Sequence, residues 1–279
     1  DWALLDRKIA DWTHAQDPAD TRPPAKKVII RVTPYGQNPL GKELPSCPDC
    51  NDITPPWIYG TGVPKITFAG GGTAGGDIVT VPQAWHENFY PVYDEFLKAL
   101  GEKYNSDARV AGFSVGFGHL DTWNAQASRN GGKAFQSEPF GWTLAKWEAH
   151  TKRVMDSADR HIKKPLMFRA PAVLLDGFKI SEADAPTFET AKHIVQYAAS
   201  RHFSVLFSAL DPELSVSVST GKGDTFMAPL ARYIASLSDS APAPIGFMDD
   251  WPLWDPTPGG PTKGRTAEGF ENELKFVSD

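Results

Sequence analysis

Two stretches of the chain place carboxylic acids directly behind short apolar runs. In the first, Val110-Ala-Gly-Phe-Ser-Val-Gly-Phe117 gives way to Gly118-His-Leu-Asp-Thr-Trp123, which brings His119, Asp121 and Trp123 together. In the second, Pro244-Ile-Gly-Phe-Met248 opens into Asp249-Asp-Trp-Pro-Leu-Trp254, with Asp249, Asp250, Trp251 and Trp254. Carboxyl groups transfer protons and act as nucleophiles when their surroundings tune them. Adjacent carboxylates such as Asp249 and Asp250 repel each other unless one is paired or protonated. Two arginines stand inside apolar runs: Arg31 in Lys27-Val-Ile-Ile-Arg-Val-Thr33 and Arg169 in Leu166-Met-Phe-Arg-Ala170. A guanidinium buried in such a run needs a carboxylate partner, so Arg31 points to an acid nearby. His119 and Arg169 add donors suited to hydroxyl groups. Asp121 has a second reading as a turn or capping residue in its Gly-rich surroundings, and Asp211 ahead of Pro212 reads as a turn.

The aromatic complement is rich, with 9 Trp, 7 Tyr and 16 Phe. Trp57, Trp85, Trp123, Trp251 and Trp254 fall in loop-like contexts. Flat rings beside polar groups suit the faces of sugars, although Trp is also a common core residue. The only cysteines form Cys47-Pro-Asp-Cys50. Such a pair can be redox-active, half of a metal site or a local disulfide; the Pro-rich setting and the lack of a second pair favour a small disulfide, as in a secreted protein. His150, His161, His193 and His202 fall in helical stretches without an H-x-x-x-H pair, which predicts surface or interfacial roles and no metal. No cofactor fingerprint is present.

The chain has 279 residues with 41% hydrophobic and 22% charged, which is the make-up of an ordinary folded domain. A net charge of −6 with no dense basic cluster argues against a nucleic-acid partner. No stretch reaches the roughly 20 apolar residues needed to cross a bilayer. The chain starts at Asp1 without a signal-like segment, as a processed chain or a fragment would.

Periodicity supplies the elements that must hold these residues. Apolar spacing predicts helices over 2–14, from Val92 to Tyr104, over 144–162, 188–198, 227–237 and 266–277. Short apolar runs predict strands at 27–33, 63–68, 110–117, 166–170, 203–208 and 244–248, with a further short run at 78–81. The intervening Ala69-Gly-Gly-Gly-Thr-Ala-Gly-Gly76 lacks the Gly-Lys-Ser/Thr end of a phosphate loop and reads as a hairpin or active-site loop. Six strands alternating with helices predict parallel βαβ units. An open doubly wound sheet would favour a nucleotide fingerprint after its first strand, and none occurs. The expected fold is therefore a single (β/α)8 TIM barrel over 1–279, short of its first and eighth strands or with those strands distorted.

Several segments together resemble clan A glycoside hydrolases, particularly the beta-galactosidase-like members. They are Pro56-Trp-Ile-Tyr-Gly-Thr-Gly-Val-Pro64, Val81-Pro82, Tyr90-Pro-Val-Tyr-Asp-Glu-Phe-Leu-Lys-Ala-Leu-Gly-Glu-Lys-Tyr104, Asp107-Ala-Arg-Val110 and the run that follows. In that family a helix ending in Lys/Arg-Tyr and an Asp-x-Arg-Val turn precede a strand ending in Gly-x-x-Gly-Glu-Trp. The resemblance covers roughly residues 25–125. It implies a retaining two-carboxylate hydrolysis of O-glycosidic bonds in an oligo- or polysaccharide without cofactor, and the cysteine pair adds the expectation of a place outside the cell. Counting 28–32 as strand two and 63–68 as strand three makes 110–117 strand four and 244–248 strand seven. Asp121 then stands at the acid's position, Asp249 or Asp250 at the nucleophile's, and Arg31 at that of the strand-two arginine which orients it. Trp123, Trp251 and Trp254 become stacking platforms. The chain departs from the family in having Asp where it has Glu. The expected alternative is thus a barrel that binds carbohydrate without cleaving it. A metal-independent hydrolase or lyase on the same barrel is less attractive, for want of a Ser nucleophile elbow.

Overall fold

The computed structural model describes residues 2–13, 27–32, 54–69, 78–115, 140–170, 185–208, 228–237 and 241–248. In chain order these form α1 (Ala3–Thr13), β1 (Val28–Val32), α2 (Pro56–Gly60), β2 (Lys65–Ala69), β3 (Ile78–Pro82), α3 (Phe89–Tyr104), β4 (Val110–Val115), α4 (Leu144–His161), β5 (Leu166–Ala170), α5 (Ala185–Ser200), β6 (Ser204–Ser208), α6 (Ala228–Ala235) and β7 (Ile245–Met248). The helix predicted over 266–277 lies outside the described residues.

Five strands form one sheet in the order β1-β4-β5-β6-β7, and every pairing is parallel. The order follows the chain without reversal. Since parallel crossovers are right-handed, each step moves the same way and each connecting helix falls on the same face. The helices agree: α3 packs on α4, α4 on α5 and α5 on α6. Among the described strands the sheet is therefore singly wound, with no point at which their order turns back as it does in a doubly wound fold.

Alternation along the strands separates the two faces. Ile30, Val32, Phe113, Leu166, Phe168 and Val205 are buried and belong to one core with Leu97 and Leu100 of α3, Val154 and Met155 of α4, Ile194 and Val195 of α5 and Leu230 of α6. The opposite face carries Ile29 and Arg31 of β1, in register with Gly112 and Ser114 of β4. Arg31 and Ile29 are exposed while Ile30 and Val32 are buried. The expectation of a guanidinium buried within an apolar run is thereby corrected: β1 is covered on one face, and Arg31 lies on the other.

The run 63–68 is a strand, but not one of the parallel sheet. β2 pairs antiparallel with β3 in a separate two-stranded ladder, joining Lys65 to Pro82 and Ala69 to Ile78. Val28–Val32 lies directly beside Val110–Val115. The strand count is corrected accordingly: the strand bearing Arg31 neighbours the one that precedes Asp121, and no strand separates them. Arg31 thus loses the match to a strand-two arginine. From β4 to β7 there remain three steps across the sheet.

Close backbone contacts and polar ties hold the helices and the strands together. Gly101 of α3 lies where a Cβ would meet the His161 carbonyl oxygen at 2.2 Å, and Gly112 of β4 where a Cβ would meet that of Pro165 at 2.6 Å. Asn105 Nδ2 donates to the His161 carbonyl at 3.0 Å, and its Oδ1 accepts from Lys163 N at 2.8 Å. Between α3 and α4, Asp94 Oδ1 accepts from Ser157 Oγ at 2.5 Å and Arg160 Nη1 at 3.1 Å, with His161 Nε2 at 3.2 Å. Burial pushes the Asp94 carboxyl up, but the Ser157 hydrogen bond and the His161 and Arg160 charges outweigh this and hold it below its ordinary value. His150 is buried between α3 and α4, its ring 5.8 Å from that of Phe89 and 5.6 Å from that of Trp147. Burial, with the Arg153 charge in support, pulls its pKa down to about 3. His202 lies beyond the end of α5, with φ 62°. Among the described residues no helix is long and apolar enough to cross a membrane.

Candidate active site at the carboxyl edge of the parallel sheet

Because the five strands are parallel, Val32, Val115, Ala170, Ser208 and Met248 all end at one edge of the sheet. Such edges are where parallel α/β folds place their ligand sites. The chain segments that leave this edge are long: α4 begins at Leu144 after β4 ends at Val115, and α5 at Ala185 after β5 ends at Ala170. At the opposite edge the returns are short, as from His161 to Leu166 and from Ser200 to Ser204.

The sequence-predicted site residues divide between the strands and these segments. Arg31 is the penultimate residue of β1 and its register partner is Ser114, which is buried. Ser114 pairs with Met167 of β5, whose penultimate position is 169. His119, Asp121 and Trp123 follow Val115, the last residue of β4, and Asp249, Asp250, Trp251 and Trp254 follow Met248, the last residue of β7. These seven lie outside the described residues, as do Cys47 and Cys50. Both arginine positions and both points of departure toward the carboxylates thus belong to one edge.

The same edge has a wall that the spacing of acids did not reveal. α3 and α4 run side by side in the same direction: Asn105 and His161 meet at their carboxyl ends, where β4 begins, and Phe89 and His150 toward their amino ends. Their amino ends therefore stand at the strands' carboxyl edge. Here the turn between β3 and α3 reaches across to the residues ahead of α4. Gln83 Nε2 and Trp85 Nε1 both donate to the Phe140 carbonyl, at 3.1 and 2.9 Å. Gln83 and Trp142 are buried and Trp85 is half-buried. Thr143 caps α4, its Oγ1 accepting from Lys146 N at 3.1 Å. The sequence signal for this wall was a Trp immediately ahead of a Thr N-cap, together with a Gln-x-Trp motif at the end of a strand.

Among the described residues no group of three His, Cys, Asp or Glu side chains lies close enough to hold a metal ion. No protein-family model matches the chain, and no curated protein or solved structure matches it.

Proposed function

We propose that the chain is a glycoside hydrolase whose sheet is an arc of a (β/α)8 barrel, working at the carboxyl edge of the strands on an oligo- or polysaccharide outside the cell. The observation that carries this reading is the singly wound parallel sheet: the segments bearing Asp121 and Asp249-Asp250 depart from the same edge, three strand steps apart. Unbroken strand order with helices in one layer is the pattern of a barrel arc.

In this reading Asp121 is the acid/base. Its carboxyl protonates the glycosidic oxygen as the bond to the anomeric carbon breaks, while ionised Asp249 or Asp250 attacks that carbon from the opposite face; water, deprotonated by Asp121, then releases the sugar. Of the adjacent pair, one carboxylate stays charged if a cation faces it, and Arg31, on the exposed face of β1 one residue before its end, is the residue proposed to supply that charge. Trp123, Trp251 and Trp254 provide apolar faces for sugar rings.

A second reading, a barrel that binds carbohydrate without cleaving it, is favoured by one feature: Asp is a methylene shorter than the Glu of the resembled family, and about 1 Å of misplacement can cost ~100-fold in rate. Release of reducing ends from soluble β-glucan, galactan, xylan and galactomannan separates the two. Hydrolysis by the wild type that falls at least 100-fold in Asp121→Asn and in one of Asp249→Asn or Asp250→Asn supports the enzyme. Retention of the protein by a polysaccharide that it does not cleave supports binding alone. Hydrolysis unchanged in all three variants removes the assignment.

A further inference from the structure

We infer that the segment 266–277 docks as a helix on the outer flank of α1, covering Leu4 and Trp12 and tying the first helix to the stretch behind β7. The docking does not depend on the protein's acting on carbohydrate.

α1 presents two dissimilar sides. On one, the Trp2 ring stacks on that of Phe96 at 6.1 Å and meets that of Tyr104 edge-on at 5.7 Å. Asp6 accepts from Tyr104 Oη at 2.9 Å and pairs with Lys103 Nζ at 3.0 Å, so α3 holds this side. Across the buried Ile9, Leu4, Lys8 and Trp12 recur every four residues along a stripe turned to solvent. Leu4 is 56% exposed and Trp12 68%. A lone exposed apolar side chain is ordinary, whereas two along one stripe of a helix make a face that gains by being covered. α1 lies on β1, which stands at the opposite end of the sheet from β7. Its flank away from α3 therefore ends the row of helices.

The sequence supplies the occupant. Of the six helices that apolar spacing predicts, five are α1, α3, α4, α5 and α6. The sixth, 266–277, carries Ala267, Phe270, Leu274 and Val277 three, four and three residues apart, which is one apolar stripe, with Phe276 on the other side. It bears Glu268, Glu271 and Glu273 against Lys275, while α1 exposes Arg7 and Lys8. Such opposite charges orient the contact more than they strengthen it. Reach is ample: the 17 residues from 249 to 265 can span about 50 Å. Four strand spacings, from β7 to β1, take roughly 20 Å. Docking thereby anchors at both ends the stretch that begins with Asp249 and Asp250.

The test uses the full chain labelled with 5-fluorotryptophan, in which the Trp12 19F resonance is the one lost in Trp12→Phe. A soluble gadolinium chelate should broaden this resonance several-fold less in the wild type than in Leu274→Asp. Phe276→Asp, on the other side of the segment, should match the wild type. Leu274→Ser replaces Leu274→Asp if the added charge prevents folding. In the unlabelled wild type, zero-length carbodiimide cross-linking should join Lys8 to a glutamate of 266–277 within one chain. A Trp12 open to the chelate in the wild type, or equally protected in the folded Leu274 variant, overturns the inference. Protection that fades on dilution as a dimer dissociates, or such cross-links formed solely between two chains, overturns it in favour of a second copy on this flank.

Discussion

Acid should loosen α3 from α4 through one side chain. His150 is fully buried against Phe89 and Trp147, and its pKa is about 3 in the folded protein against 6.5 for the free side chain. A lowered folded-state pKa means that the unfolded chain binds the proton first. The contribution to stability is thus complete above pH 6.5, declines as the pH falls below that value and is exhausted near pH 3. Two pH units below the unfolded value, at pH 4.5, the equilibrium has shifted toward the unfolded chain by roughly 2–3 kcal/mol, at about 1.4 kcal/mol per unit. The perturbation is His150→Leu, an apolar replacement of similar size whose own cost at pH 7.5 should stay below about 1.5 kcal/mol. Urea unfolding at pH 7.5 and 4.5 should show the wild type losing roughly 2–3 kcal/mol more than the variant over that interval, with the slope on urea unchanged. Carboxylates common to both proteins cancel in the comparison. Equal losses in the two proteins would refute the assignment of His150 as a buried neutral side chain.

Two further outcomes follow from these close contacts and polar ties. Gly101→Ala and Gly112→Ala should each destabilise by about 1–3 kcal/mol, because the added methyl meets a backbone carbonyl oxygen rather than a side chain that can swing away; the thermal unfolding midpoint reads this. Asp94→Ala should cost about 1–3 kcal/mol by leaving the buried Ser157 hydroxyl without its acceptor. Since the Asp94 carboxyl is held below its ordinary 3.8, its contribution should persist above that pH and fade as the pH drops below it, so acid titration of the variant should lack that final loss.

Much of this fold was legible because helices and strands announce themselves by period. The runs at 166–170 and 203–208 and the spacing from Leu144 onward match β5, β6 and α4 closely. What the pattern could not supply was pairing direction. The apolar run at 63–68 reads the same whether it joins a parallel sheet or a hairpin, and only the glycine stretch behind it hinted at the antiparallel partner Ile78–Pro82. Val28-Ile-Ile-Arg-Val32 reads as apolar on both faces, whereas one face, with Ile29 and Arg31, is exposed. His150 was detectable in principle: it lies three residues after Trp147 and four before Val154, on the buried stripe of α4. At the candidate site the sequence located acids behind apolar strands, and the parallel register adds that β4 and β7 end at a common edge. The Gln83–Trp85–Phe140 clasp joins positions far apart in the chain, so the local signals on either side do not reveal that they meet.

The central claim is that Asp121 and one of Asp249 and Asp250 face each other across the carboxyl edge of this sheet. A crystal structure of the Asp121→Asn variant with a bound oligosaccharide measures it directly. A separation of about 5–5.5 Å between the two side-chain termini, with the glycosidic oxygen beside residue 121, is the predicted result; ~6.5–9.5 Å would reassign the reaction from retaining to inverting. Termini much farther apart, or side chains turned away from the sugar, would contradict the account.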